Sequence, residues 1–196
     1  MKLILVRHGQ TDSNIRGTYL GWTDVELNET GLKQAECVAE KLKDTVIDKI
    51  FSSPLKRVRA TAEAINKYHN VSIEYTDCLK ERNFGIWDNL TYDEIKAGYP
   101  EECIKWDKDW FNYKIKGGES CLEMYERITA FIDDILARYK DETVLLVSHL
   151  GCIRIIISYL LVMPPEGIWK FRASNCGITT FSINEDKFAY MTSLNV

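Results

Sequence analysis

Two of the three histidines follow directly on apolar runs of strand length. Leu3-Ile4-Leu5-Val6 leads into Arg7-His8-Gly9, and Val144-Leu145-Leu146-Val147 leads into Ser148-His149. Such runs read as buried strands, and ligands in open α/β sheets bind in the crevice beyond the carboxyl ends of the strands. Two imidazoles at strand exits therefore form a candidate reaction centre, and Arg7 beside the first suggests an anionic substrate. Lys56, Arg57 and Arg59 fall in the first two turns of an expected helix, where the positive end of the helix dipole opposes them. Either Arg57 reaches the same crevice and grips an anion in a bidentate fork, or the three form a solvated surface run. Taken alone, His8 also reads as a hydrogen-bonded structural residue, and Glu81, between Lys80 and Arg82, as a surface glutamate. His69, amid Lys67, Tyr68 and Asn70, reads as solvated.

The elements that would position these residues alternate. After the first strand, Thr30 is an expected N-cap for a helix whose Leu32, Ala35, Val38, Ala39 and Leu42 recur with helical period. Lys49 to Ser52 reads as a strand, after which Ser53 is expected to cap a helix with Pro54 in its first turn and Leu55, Val58, Ala62 and Ile65 inward. A third strand is expected over Ile73 to Thr76. Thr91-x-x-Glu94 and Ser120-x-x-Glu123 are capping boxes, the first for a short helix ending near Gly98 before Pro100, the second for a long one that follows the Gly117-Gly118 turn and buries Tyr125, Ile128, Ile132, Ile135, Leu136 and Tyr139. A buried helix is expected over Ile153 to Met163, stopped by Pro164-Pro165, and a terminal strand pair over Ile178 to Ile183 and Phe188 to Leu194. Strands alternating with helices predict an α/β fold, three-layer α/β/α with a mostly parallel central sheet.

No linker divides the 196 residues, which read as a single domain, 1–196. A hydrophobic content of 45% with five Trp, ten Tyr and seven Phe excludes a disordered chain. The balance of 25 basic against 29 acidic residues, net −4, argues against a nucleic-acid partner, since nonspecific affinity comes from basic side chains that neutralise phosphates. There is no membrane-length apolar run and no secretory signal at the N-terminus, so a cytoplasmic protein without a membrane partner is expected. Six cysteines without a C-x-x-C pair read as reduced, buried, structural thiols.

The string Arg7-His8-Gly9-Gln10-Thr11-Asp12-Ser13-Asn14, then Gly21-Trp22-Thr23-Asp24, resembles the histidine phosphatase superfamily (phosphoglycerate mutase-like), whose signature is Arg-His-Gly with Thr and Asn three and six positions after the histidine. Ser52-Ser53-Pro54-Leu55-Lys56-Arg57 with Thr61-Ala62 resembles the second motif of that family, Leu79-Lys80-Glu81 with Phe84-Gly85 and Trp87 the third, and Gly117-Gly118-Glu119-Ser120 with Val147-Ser148-His149 the last. Leu150 stands where the family often carries a small residue, and Asn89 where glycine is frequent.

The resemblance makes His8 the phosphate-accepting nucleophile, Arg7, Arg57 and His149 a phosphate clamp, Asn14 a further phosphate contact and Glu81 the proton donor. An imidazole attacks phosphorus only when unprotonated, and nearby arginines favour that form while neutralising the transferring phosphoryl group, so neither a metal nor a cofactor is expected. It also implies a small helical cap, about residues 82–120, inserted over the strand ends. Cap aromatics Trp87, Tyr92, Tyr99, Trp106, Trp110, Phe111 and Tyr113 are expected mainly in core packing, with one or two facing the crevice. The implied function is a phosphomonoesterase for a small phosphorylated metabolite, closest to the alpha-ribazole phosphatase and broad-specificity branch, with alpha-ribazole 5'-phosphate a candidate substrate. The alternatives are a cofactor-dependent phosphoglycerate mutase and a noncatalytic phosphate-ligand-binding module. The oligomeric state is not implied.

Overall fold

The computed structural model describes residues 1–196. It contains β1 (Lys2–Arg7), α1 (Asp12–Arg16), α2 (Glu29–Leu42), β2 (Lys49–Ser52), α3 (Lys56–Asn66), β3 (Ile73–Tyr75), α4 (Tyr92–Gly98), α5 (Pro100–Lys108), α6 (Cys121–Arg138), β4 (Thr143–Ser148), α7 (Leu150–Leu160), β5 (Ile178–Ile183) and β6 (Ala189–Ser193). The six strands form one sheet in the order β3-β2-β4-β1-β5-β6. From β3 to β1 all neighbours are parallel, and β5 and β6 close the edge antiparallel.

Alternation along the central strands builds the layers. Leu3 and Leu5 of β1 and Val144 and Leu146 of β4 face one way and pack with Ile128, Ile132 and Ile135 of α6 and Ile153, Ile156 and Ile157 of α7. Ile4 and Val6, with Leu145 and Val147, face the other way against Val38 and Leu42 of α2 and Val58 and Ile65 of α3. Both faces are dry, which is why these strands read as unbroken apolar runs instead of alternating with polar residues. A third cluster of Trp87, Ile95, Cys103 and Ile115 lies apart from these two and ties together the segment that carries α4 and α5.

Several local expectations change. Asn28, not Thr30, caps α2, because its side chain accepts from Gly31 N at 2.8 Å while its own N–H donates to Gln10 O at 3.0 Å, tying the helix start to the loop after β1. Leu32 is consequently exposed. α3 begins at Lys56 behind Leu55, which makes no side-chain cap bond, while Ser53 Oγ stands only 3.5 Å from Leu55 N. α7 begins at Leu150, directly after its capping residue His149, three residues earlier than Ile153. α1 and α5 were not anticipated. The first is too short to show periodicity and uses Asn14 in a capping box with Thr11, and Pro100, read as a stop for α4, is also the first residue of α5. All six thiols are free, but Cys37 is exposed and Cys78 half-buried, so the expectation of buried cysteines holds for the other four alone. His69 is half-buried, with its Nε2 enclosed and unpaired.

Candidate active site

Strand register brings the two histidines together. β1 pairs with β4 so that Arg7 stands opposite Ser148, and the residue after each strand is a histidine. The rings of His8 and His149 lie 5.2 Å apart edge to face, and His8 N–H donates to Ser148 O at 3.0 Å. On the other side of β4, Ser52 stands opposite Val147, which sets Ser53 beside His149.

Hydrogen bonds fix the state of both rings. His8 Nδ1 lies 2.7 Å from Gly9 O, and since a carbonyl only accepts, Nδ1 carries the proton and Nε2 keeps its lone pair. Arg57 Nη2 lies 3.3 Å from His149 Nδ1, and since a guanidinium only donates, that nitrogen accepts and Nε2–H donates to Ser53 Oγ at 2.9 Å. Burial first, and then Arg57, hold both histidines well below their ordinary pKa, with Arg7 adding to the effect on each. Both rings are therefore neutral at pH 7.

Arg57 is fully buried and donates to Thr23 O at 3.0 Å and Gly21 O at 2.7 Å, leaving its enclosed Nε unpaired. Burial lowers its pKa to about 10, so it remains a cation. The loop that receives it is fastened by Asp88, whose carboxylate accepts Gly21 N at 2.7 Å, Trp22 N at 2.9 Å and Thr23 N at 2.8 Å. Arg7 Nη1 donates to Ala173 O at 2.8 Å, and its Nε is likewise buried and unpaired. An unpaired buried donor is costly, and each of these two guanidinium groups keeps one. Asn14 Oδ1 accepts from Thr11 N and Asn175 Nδ2, which turns its amide nitrogen toward other partners.

Glu81 is buried, and its two carboxylate oxygens accept Arg82 N and Gly151 N, each at 2.9 Å. A Cβ on residue 151 would stand 2.3 Å from Glu81 Oε1, so glycine in the first turn of α7 is what admits the carboxylate. Glu81 is thus no surface glutamate.

Arg7, His8, Asn14 and Glu81 line a cavity of about 340 Å³ together with Tyr19, Phe84, Trp106, Met124, Leu150 and Trp169. Arg57 and His149 belong to the cluster but not to the cavity wall. They stand behind His8, with both ring nitrogens of His149 engaged by protein. Of the seven expected cap aromatics, Trp106 alone reaches the cavity, while Trp87 packs against Trp106 and Tyr113. Asn89 adopts the left-handed conformation, φ 60°, and its Oδ1 accepts from Ser13 Oγ and Thr18 Oγ1, so it fills a glycine-favouring position with added bonds. No group of three or more His, Cys, Asp or Glu side chains is arranged to hold a metal ion.

Sequence reasoning missed Tyr19, Trp169, Arg154 and Ser53 as site residues. Nothing in their local sequence marks the first three, while Ser53 follows a strand exit like His8 and His149, which was a usable signal.

The sequence profile of the histidine phosphatase superfamily (branch 1) matches residues 3–195. The chain is similar to phosphoserine phosphatase 1 of Hydrogenobacter thermophilus, 33% identical over 94% of this chain and 88% of the relative. It is 31% identical to the adenosylcobalamin/alpha-ribazole phosphatase of Salmonella typhimurium, over 100% of this chain and 96% of the relative. The crystal structure of the alpha-ribazole phosphatase from Shigella flexneri superposes with a TM-score of 0.93 at 29% identity, covering 100% of this chain and 96% of that one. No helix is long and apolar enough to cross a membrane.

Proposed function

The chain belongs to the histidine phosphatase superfamily, branch 1, and we propose that it hydrolyses a small metabolite phosphate through a phosphohistidine on His8. The observation that carries this reading is the state of His8, a neutral buried ring with Nδ1 bound to Gly9 O and Nε2 free. Nε2 attacks phosphorus, the ester oxygen leaves with a proton from Glu81, and the phosphoryl group rests on His8. Water then attacks phosphorus, gives its proton to Glu81 and returns His8 to its starting state. Arg7 and Asn14 meet the phosphoryl oxygens from the cavity wall. Arg57 and His149, buried behind, supply positive charge and a donor network to the same oxygens once the Arg57–His149 contact gives way.

Residues about 82–120 act as a cap over this pocket within a single domain. The favoured substrate is an aromatic-base ribotide of the alpha-ribazole 5'-phosphate type, supported by the walls of Tyr19, Phe84, Trp106 and Trp169 and by the relatives named for that activity. Six free thiols suit the reducing cytoplasm.

The test is a phosphate-release screen over ribotides, sugar phosphates, nucleotides and phosphoglycerates, ranked by kcat/KM. It is paired with trapping of acid-labile, base-stable phosphate on wild type and on His8→Ala. Label and turnover on wild type alone are expected, and label recovered on His8→Ala would remove His8 as nucleophile. Interconversion of 2- and 3-phosphoglycerate that depends on added bisphosphoglycerate and releases little phosphate would replace the phosphatase by a mutase.

A further inference from the structure

Arg154 lies one helical turn beyond Leu150 on α7, and both side chains line the cavity. Its Nε donates to Phe171 O at 2.8 Å and its Cζ stands 5.9 Å from the Trp169 ring centroid, so the plane of the guanidinium is fixed. Nη1 and Nη2 make no hydrogen bond to protein, and no carboxylate pairs with this cation. Of the charged residues that line the cavity, three are arginines, Arg7, Arg82 and Arg154, and one is acidic, Glu81. Both oxygens of Glu81 are already engaged by backbone N–H groups, and Arg82 is committed to Glu119 O and Tyr113 O. A half-buried cation without a partner is costly unless a ligand supplies the acceptor. Burial lowers the pKa of Arg154, with the charge of Glu81 as the opposing influence.

We propose that Arg154 makes the leaving-group half of the cavity a charge filter, donating Nη1 and Nη2 to an oxygen of the leaving group and turning away esters that carry an ammonium. This rests on the phosphomonoesterase reading and narrows it to a substrate class: phosphomonoesters whose leaving group presents hydroxyl, ether or carboxylate oxygen and no positive charge. An ammonium entering here would give up water and face three guanidinium groups against the single carboxylate of Glu81, each of whose oxygens already accepts a backbone N–H. A hydroxyl in the same place accepts from Arg154.

Two pairs of esters differ only by ammonium against hydroxyl on one carbon skeleton: O-phosphoserine with 3-phosphoglycerate, and 2-aminoethyl phosphate with 2-hydroxyethyl phosphate. The second pair has no stereocentre and so controls for handedness in the first. Phosphate release at pH 7.5 by wild type should favour the hydroxyl member of each pair by about tenfold or more in kcat/KM, as expected for about 1.4 kcal/mol of differential interaction. Arg154→Glu should bring the ratio to one or below, whereas Arg154→Lys, which keeps the charge, should preserve the preference. Loss of the bond to Phe171 O affects both variants, so a purely structural role would lower both members of each pair alike and leave the ratio unchanged. That result, or a wild-type ratio near one, overturns the filter. Release of phosphate from none of the four esters, nor from any other phosphomonoester, would instead defeat the phosphatase reading itself, and the filter with it.

Discussion

The two sets of groups at the cavity, polar and apolar, are built on different principles. The polar cluster, part of it on the cavity wall and part behind it, is almost all fastened to backbone: His8 to Gly9 O, Arg57 behind the wall to Gly21 O and Thr23 O, Glu81 to two N–H groups. The rest of the lining is assembled largely from aromatic and aliphatic side chains, Tyr19, Phe84, Trp106 of α5, Met124 of α6, Leu150 of α7 and Trp169, the last of which is 54% exposed. Chemistry needs donors held to fractions of an ångström, and backbone anchoring supplies that. Recognition of a leaving group needs shape and one or two polar contacts, which tolerate movement and substitution. Changes in the two sets should therefore differ in size and in kind.

The largest effect is expected from Arg57→Ala. It leaves two loop carbonyls and His149 Nδ1 without a donor and removes a buried charge, so a stability loss of about 2–5 kcal/mol should accompany a fall of about a thousandfold or more in kcat/KM. Denaturant melts and phosphate-release kinetics measure both, and a mild loss confined to KM would show that Arg57 does not serve the reacting phosphoryl group. Glu81→Gln keeps shape but cannot cycle a proton. Alkyl esters should lose about 10²–10⁴-fold and nitrophenyl phosphate far less, because its leaving group departs without a proton. Equal losses on both would assign Glu81 to positioning.

A smaller, pH-dependent effect comes from the histidine pair. In the unfolded chain they protonate near the ordinary value of 6.5, whereas the folded protein holds them neutral to well below it. Their contribution to stability is thus fully present above about pH 6.5 and is lost as pH falls from there toward the folded values, over which range the unfolded state takes up protons that the folded state refuses. Ring-proton NMR from pH 8 to pH 5.5 should show the rings of His8 and His149 still, and a titration of His8 near 6.5 would contradict a neutral nucleophile.

The smallest effect belongs to the aromatic wall. Trp106→Ala should reduce kcat/KM for an aromatic-base ribotide by about three- to tenfold, in line with stacking worth about 0.5–1.5 kcal/mol, while glycerol phosphate changes little. An equal loss on both substrates would mean that Trp106 serves the cap cluster around Trp87, not the ligand.

Legibility in the sequence follows the same division. His8, Arg7 and His149 could be found because each directly follows or ends an apolar run whose composition announces a doubly covered strand, and contiguous motifs carried Arg57, Asn14 and Glu81. α6 was equally plain, since its capping box and apolar period are both local. What the chain order does not contain is the register of β1 against β4, which makes neighbours of His8 and His149, and the placement of β2 beyond β4, which gives Ser53 to His149 instead of to a helix cap. Glu81 read locally as a surface residue, and it becomes buried only because Gly151, far along the chain, leaves room for its carboxylate.

The sequence by itself determined the alternation of strands and helices, the two faces of the sheet and the residue types of the candidate site, because these depend on periodicity and short motifs. Only the tertiary structure decided which ring nitrogen of His8 is free, that Arg57 and His149 stand behind the cavity wall, and that Tyr19, Trp106, Arg154 and Trp169 share one surface. Those outcomes arise from non-local packing, where each side chain's surroundings are supplied by segments whose sequence says nothing about that contact.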